Sequence, residues 1–164
     1  MRILNVIPSV SLVHGGPSRA ILEIERAMRD AGHQMTTLAT DDDGPGRRYS
    51  ADARPMAVAG VERVYVRKVS EFYKIAPGIL PWLWRNVRRF EVVHIHAVFS
   101  FTSTAAALIA WLRAVPYVVR PLGTLAAYGL SNRRRLAKRV SLALVEGPLL
   151  RRAAAVHFTS RAEL

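Results

Sequence analysis

The first 33 residues contain the pattern that most constrains the fold of this chain. Residues 2–7 (RILNVI) form a short apolar run ending at Pro8, which is typical of a strand buried on both faces. The following loop closes with Gly15 and Gly16, and Pro17 then stands where a first helical residue is favoured. Apolar residues recur at helical spacing up to a glycine stop: Ile21, Ile24, Met28 and Ala31, with Gly32 after them. The segment predicts a strand, a glycine turn and an amphipathic helix, which is half of a βαβ unit.

A strand that enters a helix through glycines suggests an anion site. Such a turn directs backbone N–H groups and the positive end of the helix dipole toward whatever lies above the strand. NAD binding is the weaker interpretation. Asp41 follows the glycine turn at a distance suited to a ribose contact, but Gly15 and Gly16 are adjacent and do not form a GxGxxG pattern.

Strand-like and helix-like segments alternate along the rest of the chain. Strand patterns cover 34–40, 64–69, 92–96, 115–120 and 154–159, and helical patterns lie between Pro77 and Glu91, from 102 to 113 and after Asn132. Residues 44–63 lack periodicity, which predicts a long surface loop. About six or seven strands alternating with helices predict an α/β fold, a doubly wound and mostly parallel sheet with helices on both faces.

Composition narrows the class of protein further. The chain has 164 residues, 51% of them hydrophobic, which suits one globular domain with one core. It has no cysteine, which excludes disulfides, zinc–thiolate sites and thiol nucleophiles and fits a reducing compartment. Apolar runs stay below the roughly 18 residues of a membrane span, so we expect a cytoplasmic protein.

The formal net charge of +12 leaves the kind of partner open. It arises from 24 basic and 12 acidic residues, and it attracts any polyanion without choosing among them. The segment between Pro77 and Glu91 places Leu80, Leu83, Trp84 and Val87 on one helical stripe, with Arg85, Arg88 and Arg89 away from it and Trp82 off the stripe. This pattern fits either an interfacial helix on the inner face of a membrane or a crossover helix packed on the sheet.

Candidate site residues follow from the rule that ligands bind outside the carboxyl ends of parallel strands. The residues there are the Gly15 and Gly16 loop, Asp41, His96, Arg120 with the Gly123 loop, and Ser160. His94 and His96 share one face of a strand, and His96 lies nearer the strand end. A neutral imidazole at His96 can accept a hydroxyl proton or bond to a phosphate or sugar oxygen.

Other residues near this edge have competing interpretations. A guanidinium at Arg120 can clamp a phosphate or carboxylate, or form a structural ion pair. His94 is interpreted as a structural histidine and His14 as a loop residue. The sequence contains no GxxxxGK, HExxH, CxxC or GxSxG motif and no convincing carboxylate pair for glycoside hydrolysis.

Four segments together resemble a known family. They are the first strand with its adjacent glycines, EVVHIHAVFS at 91–100, VPYVVRPLGTL at 115–125, and LLRRAAAVHFTSRAEL at 149–164. They are similar to the N-terminal domain of a GT-B glycosyltransferase, and the similarity is greatest to family 4, a retaining group. Residues 1–164 then correspond to the acceptor-binding domain, and a C-terminal donor-binding domain is absent from this chain.

The resemblance also assigns roles to individual residues. It places Gly15 and Gly16 near the donor phosphates and the acceptor, and His96 beside the reacting sugar as the catalytic residue. We expect Arg120, Gly123 and Ser160 to contribute to the same donor-phosphate and acceptor site. Many family members have a His-Gly turn where this chain has Arg120-Pro121-Leu122-Gly123, which is a departure from the common pattern. Ser160 and Glu163 have the spacing of a helix capping box at the end of the sequence.

The activity implied by the resemblance is transfer of a sugar from a nucleotide-sugar to a glycan or a lipid-linked acceptor with retention, in polysaccharide or glycolipid biosynthesis. No cofactor and no metal are expected. Family members carry two Glu seven residues apart in their second half, and this chain has no such pair, so we expect it to be inactive alone.

Two other function classes stay open. One is a basic peripheral module that binds an anionic membrane surface or another polyanion, with nucleic acid the less expected partner. The other is a Rossmann enzyme that modifies nucleotide-sugars.

Overall fold

The structure is a computed structural model that describes residues 1–49, 52–122 and 140–159. Within these ranges seven strands form one sheet. They are β1 (Arg2–Ile7), β2 (Gln34–Thr40), β3 (Met56–Val58), β4 (Val61–Val66), β5 (Val92–His96), β6 (Tyr117–Arg120) and β7 (Ala155–Val156). The strands β1, β2 and β5 have the bounds predicted from the sequence, because each is an apolar or β-branched run closed by a polar residue, a proline or a turn.

Helices connect most of these strands. The α-helices of the described residues are α1 (Gly16–Asp30), α2 (Ile79–Asn86), α3 (Phe101–Leu112) and α4 (Gly147–Arg152), with a π-helical segment at Leu142–Glu146. Short 3-10 turns lie at Leu12–His14, Phe72–Lys74 and Val87–Arg89. The hydroxyl of Ser100 caps α3 by accepting the Ser103 N–H at 3.2 Å, so the helix begins at Phe101, one residue before the predicted start at 102. None of these helices is long and apolar enough to cross a bilayer.

The sheet order is β3-β4-β2-β1-β5-β6-β7, and every neighbouring pair is parallel except β3 with β4. The chain moves outward from β1 in one direction through β2 and β4. It then returns to the other side of β1, where β5 pairs Val93 with Leu4 and Ile95 with Val6. The direction of winding therefore reverses between β1 and β5, and the crevice above these two strand ends is where such sheets bind ligands.

Helices cover both faces of the sheet. On one face, Ile21 of α1 packs with Ile7 and Ala39 of β1 and β2. On the other face, α2 and α3 cover the larger core, which includes Leu4 and Ile95. The predicted fold class, a doubly wound and mostly parallel α/β sheet, is confirmed.

The predicted loop at 44–63 is wrong in its second half. Residues Met56–Val58 form β3, which pairs antiparallel with β4 through Val58 and Val61. The strand β4 begins at Val61 and ends at Val66, three residues earlier than predicted at both ends. The alternation in VYVRKV predicted a strand that starts at Val64. In the structure β4 is buried on both faces, and Lys68 belongs to the loop that follows it.

The predicted orientation of α2 is also wrong in part. Trp82 is buried with Leu83 and Val87, whereas Trp84 is 49% exposed and Leu80 lies beside it on the outer side. The helix therefore packs on the sheet as a crossover helix. Trp84, rather than Trp82, is the tryptophan that faces solvent.

Candidate functional site

The glycine turn lies at the carboxyl edge of the sheet and is open to solvent. Gly15 precedes α1 with φ +76° and ψ −130°, a conformation that a residue with a Cβ rarely adopts. A Cβ placed on Gly15 or on Gly16 would meet no atom within 4 Å. As the cap of α1, Gly15 has no side chain to bond the first amides of the helix, which have no partner within the helix either. The start of α1 therefore carries backbone amides that no capping side chain satisfies.

Beside the glycine turn lies a cleft of about 200 Å³, which we call the β1 cleft. It is lined by Ile7, Pro8, Ser9, His14, Pro17, Ser18, Lys74, Ala97 and Leu122. The lining brings together the end of β1, the start of α1 and the residue that follows β5. Its walls are largely apolar, and the ionisable side chains on it are His14 and Lys74.

Beside the β1 cleft lies a group of charged side chains built around one carboxylate. We call it the Asp42 cluster: His14, Asp42, Lys68, Glu71 and Lys74. The Asp42 carboxylate is 4% exposed and lies 2.9 Å from Lys68 Nζ, 3.0 Å from Lys74 Nζ and 3.2 Å from His14 Nε2. The Gly44 N–H also donates to it at 3.2 Å. One buried carboxylate therefore positions three side chains, of which His14 and Lys74 line the β1 cleft.

The charges of the Asp42 cluster are strongly coupled. Burial would raise the pKa of Asp42, but hydrogen bonds from Lys68, Lys74 and the Gly44 amide hold it well below its usual value. Burial would lower the pKa of Lys74, but its bonds to Glu71 and Asp42 raise it. Asp42 is therefore ionised and Lys74 protonated at neutral pH.

The cluster opens into a second cleft of about 430 Å³. Besides the cluster itself, its wall consists of residues 44–48, which include Arg47 and Arg48. Arg48 Nη1 donates to the Asp41 carboxylate at 2.9 Å, and the other oxygen of Asp41 accepts the Lys68 N–H at 2.8 Å. Asp41 thus fastens this loop to the end of β4 and does not face the cleft opening. His14 and Lys74 line both clefts, which makes the two openings neighbours.

The structure places the His96 side chain beneath the surface. It is 1% exposed, and its Nε2 lies 3.2 Å from the Asn5 side-chain oxygen on β1. Its ring packs on His94 with centroids 4.1 Å apart, and His94 in turn stacks on His157 at 5.9 Å. The next residue, Ala97, lines the β1 cleft, so the backbone of His96 borders the site while its imidazole points into the sheet face.

The surroundings of His94 and His96 favour their neutral forms. Burial, together with the charges of His157 and Arg120, lowers the pKa of His94 to about 4. Burial lowers the pKa of His96 well below its usual value, and the neighbouring His94 and Arg120 act in the same direction. The neutral imidazole expected at His96 is therefore the form that its surroundings favour.

Arg120 pairs in register with His96 on the neighbouring strand. Among the described residues, its buried Nε and Nη1 find no hydrogen-bond partner, and the buried Nε2 of His94 also lacks one. Within the described ranges, Arg120 forms no ion pair and lines neither of the two clefts. The structure therefore leaves both interpretations of this arginine, clamp or ion pair, as predictions.

Two of the predicted site residues, Gly123 and Ser160, lie outside the described residues. In the part of the chain that is described, no group of three or more His, Asp or Glu side chains is arranged to hold a metal ion. The absence of a metal requirement stays a prediction.

A buried hydrogen-bond network fixes the segment that carries Lys74. Tyr73 and Lys74 both have left-handed backbone, with φ of 54° and 49°. The Tyr73 hydroxyl bonds the Glu146 carboxylate and lies 2.9 Å from the Thr104 hydroxyl, and the Ser141 hydroxyl donates to the other oxygen of Glu146 at 2.6 Å. Burial and the bond to Glu146 raise the pKa of Tyr73 to about 12. The network holds Lys74 at the junction of the two clefts.

Sequence reasoning missed the residues that form the Asp42 cluster. Asp42 is not among the predicted site residues, and Lys68 falls within the predicted strand 64–69. The signal in the sequence was the run of three aspartates directly after a buried strand, at the edge where ligands bind. Nothing in the sequence pairs Asp42 with Lys74, which lies 32 residues away and reaches it through a left-handed turn.

A third cleft, of about 400 Å³, lies at the opposite edge of the sheet. Its lining includes Arg2, His33, Glu62 and Arg89, which lie at or before the amino ends of strands or after helices. Open α/β sheets bind ligands at the carboxyl edge, so the site is assigned to the β1 cleft and the Asp42 cluster.

Solved structures share this fold. MurG of Acinetobacter baumannii superposes with a TM-score of 0.51 at 17% identity over 96% of this chain and 40% of its own length. An alpha-glucosyltransferase in complex with UDP and a 13-mer DNA gives 0.54 at 18% identity over 98% and 37%. A Listeria monocytogenes protein assigned as a UDP-N-acetylglucosamine 2-epimerase gives 0.56 at 11% identity over 99% and 39%. The chain thus spans about two fifths of the length of these proteins.

Sequence comparison gives the family. A search of curated protein sequences returned no match. The family model of the glycosyl transferase 4-like domain matches residues 15–164, which begin at the glycine turn and include every other predicted site residue. The resemblance inferred from the four sequence segments is thereby confirmed, and the chain belongs to the glycosyl transferase 4-like domain family.

Proposed function

We propose that this chain is the acceptor-side domain of a glycosyltransferase that moves a sugar from a nucleotide-sugar to an acceptor hydroxyl with retention. Membership of the family supports the reaction class. The chain covers 40% of MurG and 37% of the alpha-glucosyltransferase, which supports a second, donor-binding domain elsewhere in the complete protein. The acceptor proposed is a glycan or a lipid-linked saccharide in polysaccharide or glycolipid biosynthesis.

The observation that carries the proposal is the open turn at Gly15. Pro17 and Ser18 in the first turn of α1 line the β1 cleft beside this turn, and Lys74 lines the same cleft. Backbone amides, a helix dipole and a cation are the groups that stabilise the charge of a departing diphosphate. The wall of residues 44–48 beside them offers polar groups and arginines to an acceptor saccharide.

The proposed reaction needs no protein nucleophile. The acceptor oxygen forms a bond to the anomeric carbon on the face that the nucleotide leaves, while the bond from that carbon to the phosphate oxygen breaks. The acceptor proton passes to the departing phosphate oxygen, so the diphosphate leaves without a covalent enzyme intermediate. No cofactor is required, and the cationic side chain of Lys74 and the α1 amides supply the charge stabilisation that a metal supplies elsewhere.

His96 is proposed to act at the border of this cleft. In the structure its imidazole bonds Asn5, so contact with a sugar requires the side chain to leave Asn5 when the substrate binds. A neutral imidazole can then donate to or accept from a sugar hydroxyl. Arg120, Gly123 and Ser160 keep their proposed role in binding donor phosphate or acceptor.

The experiment is a transfer assay on the complete protein. Nucleotide-sugars are offered with glycan and lipid-linked acceptors, and the product is examined by NMR for its anomeric configuration. We expect transfer with retention, and Lys74→Ala should lower kcat/KM by about tenfold or more, as loss of one charge-stabilising group does. Arg54→Ala, which removes an exposed cation outside the clefts, is the matched control. An inverted product would contradict the proposal, as would equal activity of both variants and the wild type.

A second candidate function is modification of the nucleotide-sugar itself. The fold shared with the Listeria monocytogenes protein favours it, although that likeness concerns the fold alone. The same assay separates the two functions. An epimerase converts the nucleotide-sugar without any acceptor, whereas a transferase consumes it only when an acceptor hydroxyl is present.

A further inference from the structure

The outer side of α2 and α3 exposes large apolar side chains over two adjacent helices. They are Leu80 and Trp84 on α2 and Leu108, Trp111 and Leu112 on α3, each between 38% and 54% exposed. We call this set the α2–α3 face. Single exposed apolar residues are ordinary on a protein surface, but two tryptophans and three leucines on neighbouring helices form a patch.

Two arginines lie over the tryptophan rings of this face. The Arg113 guanidinium lies 4.7 Å from the centre of the Trp84 ring, and the Arg152 guanidinium lies 4.8 Å from the centre of the Trp111 ring. Arg88 donates from Nε to the backbone oxygen of Arg113 at 3.4 Å, which brings a third cation to the same end of the face. Apolar and cationic groups are therefore interleaved.

Acidic residues are scarce around the face. Residues 77–122 contain one acidic residue, Glu91, and residues 147–159 contain none. The Glu91 carboxylate accepts the Arg2 N–H at 2.6 Å, at the start of β1. Several arginines elsewhere in the described residues have carboxylate partners, as Arg48 and Arg63 do. The cations of the α2–α3 face have none within the described residues.

We propose that the α2–α3 face docks the protein on an anionic lipid bilayer. Trp84 and Trp111 would lie at the level of the headgroups, the three leucines would enter the acyl boundary, and the arginines would bond lipid phosphates. The face belongs to the layer on the opposite side of the sheet from α1, whose N-terminus borders the β1 cleft. Docking therefore leaves that cleft open. The inference does not depend on the proposed function.

Two other occupants fit the face less well. A nucleic acid would satisfy the arginines but would leave Leu80, Leu108 and Leu112 in water. A second copy in a two-fold interface would bury the leucines but would bring the arginines of one copy near those of the other. An anionic bilayer can bury the leucines and bind the arginines at the same time.

The test uses the tryptophans of the protein as probes, because Trp82 is buried while Trp84 and Trp111 are exposed. The protein is mixed with phosphatidylcholine vesicles with and without phosphatidylglycerol. We expect sedimentation with the anionic vesicles, a blue shift of tryptophan emission, and quenching by brominated lipid. Trp84→Phe with Trp111→Phe should abolish the quenching while retaining the emission of Trp82.

Charge variants complete the test. Arg88→Ala with Arg113→Ala should weaken vesicle binding by about tenfold or more, since each cation near an anionic surface contributes a several-fold gain in affinity. Arg54→Ala with Arg67→Ala removes the same charge from exposed positions outside the face and should leave binding unchanged. Equal loss in both pairs, or equal binding to neutral vesicles, would overturn the proposal. So would DNA binding without vesicle binding, or a dimer in light scattering that the tryptophan variants dissociate.

Discussion

At the scale of single residues, Gly15 and Gly16 look alike in the sequence but differ in the structure. Gly15 has positive φ, whereas Gly16 is the first residue of α1. Neither would place a Cβ near another atom, so the difference between them lies in the backbone alone. The sequence predicted that this pair forms the turn, but it could not say which of the two carries the unusual conformation.

Replacing each glycine by alanine separates the two roles. Gly15→Ala should lower the free energy of unfolding by about 1 to 3 kcal/mol because it forces a Cβ into a strained conformation. Gly16→Ala should be neutral or stabilising by up to about 1 kcal/mol, since alanine is favoured in helices. Urea denaturation measures both values. Equal effects of the two substitutions would contradict the backbone assigned to Gly15.

Asp42 is the residue on which the charged groups of the site depend. Asp42→Asn should lower the free energy of unfolding by about 2 kcal/mol, because it leaves Lys68 and His14 without their buried partner. The pKa of Asp42 is depressed in the folded protein, so its stabilising contribution is present above the ordinary carboxyl pKa of 3.8 and is lost as pH falls below that value.

Denaturation of the Asp42→Asn variant and the wild type as a function of pH checks this assignment. The two proteins should differ most at neutral pH and should converge in acid. Asp52→Asn, which alters an exposed aspartate, is the matched control and should follow the wild type at every pH. A difference that does not change with pH would show that Asp42 acts through packing rather than through its charge.

The histidines of β5 contribute to the pH dependence with the same sign as Asp42, but at higher pH. The pKa of His94 is about 4 in the folded protein, below its ordinary value of 6.5. The unfolded chain therefore binds more protons between these values, and stability should fall as pH decreases from 6.5 to 4. His94→Asn should reduce this slope, which denaturation at several pH values measures. An unchanged slope, or an NMR titration of His94 near 6.5, would contradict the neutral histidine face.

At the scale of elements, the sequence predicted best where burial alone decides the structure. β1, β2 and β5 are buried runs, and their bounds follow from where the apolar residues end. β3 and the start of β4 were missed because a three-residue edge strand has too few side chains to show a period, and its pairing with β4 is a tertiary event. The contact of Tyr73 with Glu146 is also a tertiary event, so the sequence could not show it.

The orientation of α2 offers a test at this scale. Trp82 is 9% exposed and contacts Phe90, with ring centres 6.5 Å apart, whereas Trp84 is half exposed. Trp82→Ala should therefore lower the free energy of unfolding by about 3 to 5 kcal/mol, the usual cost of emptying a buried tryptophan site. Trp84→Ala should cost about 1 kcal/mol or less, since exposed substitutions have small effects. Thermal or urea denaturation compares them, and the reverse order would restore the orientation predicted from the sequence.

At the scale of the whole molecule, alternation of strands and helices was sufficient to predict the sheet, and the carboxyl edge stays the predicted place of the site. It was not sufficient to predict the site itself. His96 was expected from its register on β5, but rotamers are set by neighbours such as Asn5, which no pattern in the sequence specifies. Asp42 and Lys74 meet because two loops from different strand ends converge, which only the folded chain shows.

Sugar transfer is proposed to take place at the carboxyl edge, between the open turn at Gly15 and Lys74. Hydrogen exchange of the complete protein, with and without its nucleotide-sugar and acceptor, tests this location most directly. We expect bound substrates to slow exchange in residues 8–19 and 68–75. Exchange at the opposite edge of the sheet, in residues 33–36 and 86–90, should not change. Slower exchange confined to that opposite edge would contradict the account.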